Sequence, residues 1–544
     1  MRLLRVHIIA AKTCGGLLDD VDVWLRSRMV DGNAFVPLCL IGPNGAGKSQ
    51  FLQVVAEMFQ SAFHAVVSKE ERGEGNPDLQ FELEYLIRPE GQGEHFHVRI
   101  TRQVQGRRRP VVVIEKKVDG DWKTCDLSDN GTLALLPKKI VGYTSGDNET
   151  LSLPFLLSRS GYAEEVGRRA LEELVTSEAI PDTRLMLIDY GTHLQVLVAN
   201  LMLGGTEQRA ALLREAGLDD IYSFRCTVQL AHQAAPKAPA SRRSNPARKG
   251  IQLTQELERY LDQLRCCATC HNYDERTETY TFDFFVDEQS KAAFHHFWEN
   301  ALSLYSALHK LAMLNDLAIP KAARDRFKKD TKSRRFASRL PEPQDEDKVF
   351  RFEQVNFRSS DQGGIVDYVS LSDGEHQLAQ ILGTFCMVSF PNVLFLLDEP
   401  ESHFNPQWRV KFISSIINLP TVDGARDDSS PAARQDCLLS THAPFVVSDM
   451  PRERVFIFSK SPETKKITIC GPDIQTYGSA FDAILEECFG VRPPISQMPR
   501  DDIAELKTVS NREELRDGIE RLGHSVEKVF LADRLRQLTQ EGES

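Results

Sequence analysis

Gly42-Pro43-Asn44-Gly45-Ala46-Gly47-Lys48-Ser49 sets a lysine and a hydroxyl at the end of a glycine-rich loop, a spacing that suits the grip of a phosphate chain. Glycines let backbone N–H groups turn toward one anion, and a helix starting at Lys48 would add the positive end of its dipole. Lys48 would then bridge the β and γ phosphates of a nucleoside triphosphate, with the Ser49 hydroxyl on Mg²⁺. Far downstream, Val393-Leu-Phe-Leu-Leu-Asp398-Glu399-Pro400 is an apolar run that ends in two acids. Burying such carboxylates costs several kcal/mol unless a metal or hydrogen bonds compensate. Asp398 is therefore expected in the Mg²⁺ shell and Glu399 as the general base on an attacking water. Ser440-Thr441-His442 follows a third apolar run, and His442 is expected to reach the γ-phosphate. Leu371-Ser372-Asp373-Gly374-Glu375 reads, taken alone, as a capped helix start.

Those groups need elements to hold them. Pro37 to Ile41 is a short apolar run stopping at Gly42, and Phe51, Leu52, Val55, Met58 and Phe59 recur at helical spacing, which predicts strand, loop, helix. Leu79, Phe81, Leu83, Tyr85 and Ile87 alternate, and so do Phe96, Val98 and Ile100, which predicts an antiparallel sheet up to about residue 125. Strand-like runs at 393–397, 437–440 and 455–458, each followed by loop or helix signals, predict a mostly parallel sheet. The expected fold class is α/β, a mixed sheet with a phosphate-loop core and an antiparallel subdomain, interrupted by a mainly helical insert. The expected divisions are 1–160, 161–345 for the insert, 346–478 for the second lobe, and 479–544 for a helical extension.

At 544 residues the chain suits roughly two to four domains, and 41% hydrophobic against 26% charged residues excludes wholesale disorder. The longest apolar, uncharged stretch, Leu194 to Gly205, falls short of the roughly 20 residues that span a bilayer. No membrane partner is expected. Met1 to Lys12 lacks a signal-peptide core, so the cytoplasm is the expected location and its 11 cysteines are expected to be free thiols. Cys267-Ala-Thr-Cys270-His271 matches a haem-attachment pattern but lacks the export context that chemistry needs. With a net charge of -12, contact with DNA or RNA would rest on local basic stretches such as 107–109, 242–248 and 321–335.

The order of these motifs along the chain resembles the ATP-binding-cassette superfamily, with LSDGE close to its signature and PESHFNP close to its D-loop. The wording CGGLLDDVDV, LCLIGPNGAGKSQFLQ and TYGSAFDAILEECFG further resembles SMC-like AAA ATPases of restriction and anti-phage systems, the PtuA- and OLD-like group. The resemblance covers about residues 1 to 160 and 350 to 475. It implies ATP and Mg²⁺ as cofactors and a nucleotide held by Gly42, Asn44, Gly45, Ala46, Gly47, Lys48, Ser49 and Gln50. Ser372, Gly374 and Glu375 would cap the phosphate bound by a second copy. Ser49 and Asp398 would hold the metal, and Glu399, His442 and Lys48 would be catalytic. The Gln of the family's Q-loop is not evident, and Asn148 is the substitute considered. Asp373 stands where the signature has glycine and Glu375 where it has glutamine.

Carried further, the resemblance implies a head-to-head dimer that controls a separate nuclease effector, such as an HNH protein, in defence. No nuclease motif is found in this sequence. Two rivals stay open: a RecF- or SMC-like repair ATPase, and an ATP-locked scaffold with little turnover.

Overall fold

The computed structural model describes residues 1–12, 15–26, 35–104, 109–146, 149–171, 179–232, 248–332, 343–360, 363–421, 426 and 430–541. In chain order the first strands are β1 (Arg2–Ala10), β2 (Val21–Trp24), β3 (Leu38–Ile41), β4 (Gln80–Ile87), β5 (Phe96–Gln103), β6 (Val111–Val118) and β7 (Asp121–Thr124). The middle ones are β8 (Lys139–Thr144), β9 (Leu185–Ile188), β10 (Leu218–Gln229), β11 (Cys270–Asp274) and β12 (Thr279–Phe285). The last are β13 (Phe350–Ser359), β14 (Ile365–Asp367), β15 (Val393–Asp398), β16 (Asp436–Ser440), β17 (Val455–Lys460) and β18 (Ile467–Cys470).

Largely apolar runs, with charge only at their ends, make the central sheet, ordered β18-β17-β3-β16-β15-β8-β9, and only β17 and β18, at one side of it, have exposed positions. Every residue of β3, β15 and β16 is buried, as parallel strands covered on both faces require. All its pairings are parallel except β17 with β18. The alternating segments instead form an antiparallel sheet, β2-β1-β4-β5-β6-β7. Helix Lys48–Val66 lies in the large apolar core with these two sheets, and Phe51 to Phe63 is buried without a break. A helix covered on every side has no solvated face, so even Gln53, Glu57 and Gln60 are buried.

The stretch 161–345 is mostly helical and also supplies strands β9 to β12, which the sequence reading did not set out. β9 is a four-residue buried run that periodicity cannot tell from helix. β10 is broken by register shifts, and β11 is exposed along its whole length, so neither shows clean alternation. With β13 and β14 they form a second antiparallel sheet, β11-β12-β10-β13-β14. Cys267 ends a helix while Cys270 and His271 lie on β11. Arg248 is buried and paired with Glu258, so it is not a surface phosphate contact. Residues 107–108, 242–247 and 333–335 of the basic stretches, and Asn148, lie outside the described residues.

Two compact units emerge, Met1–Tyr477 and Gly478–Ser544. The second contains helices Phe481–Phe489, Gln497–Leu506, Arg512–Arg521 and Val526–Glu541 around Ile503, Leu515, Ile519 and Leu531. Among the described residues no helix is long and apolar enough to cross a membrane.

One buried ion pair fastens the first strands to the later lobe. Asp436, fully buried, accepts from Arg26 Nη1 at 2.8 Å and Nη2 at 2.7 Å, Leu3 N at 2.7 Å and Cys437 N at 3.0 Å. Asp436→Ala strands the Arg26 charge in the interior, and the expected loss is about 3–5 kcal/mol of unfolding free energy. Urea unfolding at constant m reads it as a lowered midpoint.

Candidate active site

Parallel register brings the chemistry together. Asp398 ends β15 opposite Ser440 on β16 and opposite Thr144 on β8, and Ser440 pairs with Leu40 of β3, the strand that feeds the phosphate loop. Neighbouring strands stand about 4.8 Å apart. Residues 48 and 442, and 49 and 398, therefore meet although hundreds of positions separate them.

The loop turns through left-handed glycines, with φ 138° at Gly42, 76° at Gly45 and 88° at Gly47. A Cβ on Gly42 would come within 2.3 Å of the Phe458 carbonyl oxygen, so only glycine fits against β17. Asn44 and Gly45 are exposed at the crown of the loop. Ala46, Gly47 and Lys48 are buried, and Ser49 and Gln50 half-buried at the helix start.

The Lys48 ammonium donates to Gly42 O at 2.9 Å and Pro43 O at 3.4 Å, and stands 3.0 Å from His442 Nε2. Burial pushes its pKa below the usual lysine value, opposed by the charges of Glu399 and Asp398. His442 Nε2 also lies 3.2 Å from Glu399 Oε1. That bond is the main cause holding the Glu399 carboxyl below the usual glutamate range, so it is ionised at neutral pH. Glu399 sits at φ 48°, a strained backbone for a residue with a side chain, pinned by its N–H on Ser440 O at 3.2 Å and Ser440 Oγ at 3.1 Å.

Ser49 Oγ donates to Asp398 Oδ1 at 3.0 Å, and Ser440 Oγ donates to the same oxygen. A hydroxyl and a carboxylate converging at the mouth of a phosphate loop are hard oxygen donors, and this donor set fits Mg²⁺. Ser49 and Asp398 would hold it, and Mg²⁺ there would supply positive charge beside a phosphate chain gripped by the loop.

Ser372, Gly374 and Glu375 are placed apart from this cluster in their bonding. Ser372 is exposed and caps helix Asp373–Met387, its N–H and Oγ on Glu375 Oε2 at 2.7 and 2.8 Å. A Cβ on Gly374 would meet the His403 carbonyl oxygen at 2.8 Å, so the signature glycine lets the helix start seat on the segment after β15.

Several contributors escaped the sequence reading. Ser440 braces Asp398. Gln377 donates to Ser402 Oγ at 3.2 Å and accepts from His403 N at 3.0 Å, and the buried Tyr143 hydroxyl is also hydrogen-bonded to it. Their only sequence signal was position, one at a strand end and one a turn past Ser372.

Fold and site together have the arrangement of a P-loop nucleotide site: a glycine loop between β3 and a helix, with acids and a histidine at the ends of neighbouring parallel strands. A family model described as "AAA domain, putative AbiEii toxin, Type IV TA system" matches residues 274–448, a span that holds Ser372, Asp398, Glu399 and His442 and leaves out the phosphate loop. Among solved structures the chain is similar to the SMC head domain from Thermotoga maritima, at 10% identity and a TM-score of 0.33, over 87% of this chain and 100% of that one. So loose a superposition adds nothing to the sheet order described above.

Proposed function

We propose that the chain binds and hydrolyses ATP with Mg²⁺, that ATP closes two copies head to head, and that this cycle controls a separately encoded nuclease in anti-phage or restriction defence. Glu399 accepts a proton from water as its oxygen attacks the γ-phosphorus. The bond to the β–γ bridging oxygen breaks, giving ADP and phosphate. Lys48 and His442 hold the γ-phosphate oxygens as charge moves onto the leaving group.

The observation that carries the dimer is Ser372. It is exposed at the start of a 15-residue helix, its side chain bonded within that helix, while Lys48, Ser49, Asp398, Glu399 and His442 form their own cluster. A phosphate meeting Ser372 would come from another copy. The family model's toxin description supports the defence role, as does the likeness of the opening and closing segments. Cleavage is assigned to the partner, and the insert is read as the part that senses a partner or nucleic acid.

With hydrolysis blocked, sedimentation should find an ATP-dependent dimer in Glu399→Gln and a monomer in Glu399→Gln/Ser372→Arg that still binds ATP. A double variant that dimerises like its parent sinks the head-to-head arrangement. Co-purification with the products of neighbouring genes tests the nuclease partner.

A further inference from the structure

Glu401 lies two residues beyond the general base, in the segment after β15, and is buried with 3% of its surface exposed. Its Oε1 accepts from the Thr441 hydroxyl, while Oε2 is buried with no hydrogen-bond partner among the described residues. A carboxyl buried with so few partners is expensive to keep, which calls for a use. Burial raises its pKa to about 7, only partly offset by the Thr441 bond.

Thr441 immediately precedes His442 and has no surface exposed. Its N–H donates to Leu40 O at 3.1 Å, on the strand that leads into the phosphate loop. Its Oγ1 accepts from Ala443 N at 2.9 Å while donating to Glu401. The backbone on both flanks of His442 is thus tied to one hydroxyl, and that hydroxyl is oriented by one carboxyl. The next two residues, Ser402 and His403, bond Gln377 on the signature helix, so the same short segment touches both the helix behind Ser372 and the loop carrying His442.

Resting on the ATPase reading above, we infer that Glu401 is a positioning residue for hydrolysis: through Thr441 it fixes His442 between Lys48 Nζ and Glu399 Oε1. Glu401 does not touch the phosphates. It sets where the imidazole stands, 3.0 Å from one and 3.2 Å from the other. A hydrogen-bond acceptor is needed there and a charge is not, so an amide should serve.

The test is single-turnover and steady-state ATPase on the full chain, with ATP affinity measured separately at equilibrium. Glu401→Ala and Thr441→Val should each lower kcat on the order of tenfold to a hundredfold, as displaced catalytic groups do, with Kd for ATP within about twofold of wild type. Glu401→Gln and Thr441→Ser, which keep acceptor and donor, should stay within about threefold of wild-type kcat. The double variant Glu401→Ala/Thr441→Val should be no slower than the worse single one, because both remove the same bond. Melting temperatures identify a variant that has merely unfolded, and Thr441→Val, nearly isosteric, guards against that outcome for Glu401→Ala. Unchanged kcat in folded Glu401→Ala, a glutamine variant as slow as alanine, or additive losses would each overturn the inference while leaving the ATPase standing. A wild-type chain without turnover overturns the ATPase reading and this inference with it.

Discussion

Glu399→Gln should turn over ATP on the order of 10²- to 10⁴-fold more slowly than wild type, the usual worth of a general base, while binding ATP at least as well. The amide keeps the shape and can still meet His442, but it cannot accept the proton of an attacking water. His442 holds Glu399 ionised and the left-handed backbone aims it, so the effect should fall on kcat. Phosphate release from a pre-bound complex reads it directly. Turnover like wild type would show that another group takes the proton.

Lys48→Ala should all but abolish nucleotide binding. Removing one partner of a desolvated charged contact costs about 2–5 kcal/mol, on the order of 30- to 5,000-fold in Kd. Folding should not suffer, since burial already works against the charge of this ammonium. The expected pattern is therefore an unchanged melting temperature without nucleotide and loss of the ATP-dependent rise that ligand binding gives the wild type. A variant still stabilised by ATP as strongly as wild type would move the nucleotide to another place in the molecule.

The core of the site was legible because its chemistry is punctuated: glycines mark where a loop must turn left-handed, and acids closing an apolar strand mark carboxylates held at its end, Asp398 buried and Glu399 partly exposed. That was enough to bring Lys48, Ser49, Asp398, Glu399 and His442 to one point. Strands β3, β15, β16 and β17 were legible for the same reason, as uncharged runs with abrupt ends. Most of what escaped lacked a period or a distinctive type; β12 did not, since Tyr280, Phe282 and Phe284 alternate along it. β11 has no buried face to alternate with, and β10 changes register as it runs. Ser440, Thr441 and Gln377 are ordinary polar residues, and only three-dimensional adjacency shows that they brace Asp398, the loop carrying His442 and the segment after β15. Nothing in PESHFNP marks Glu401 as buried, and only its place in the fold does.

The central sheet shuffles its strands like two hands of cards: β3 and β8 come before the long insert, β9 from within it, β15 to β18 after it, and β3 sits between β17 and β16. Neither half of the polypeptide owns a complete layer of backbone partners. Cutting the chain within the insert would sever connectivity without releasing an independent enzyme, and a product halted ahead of β13 would be left with orphaned strands in place of a smaller working version.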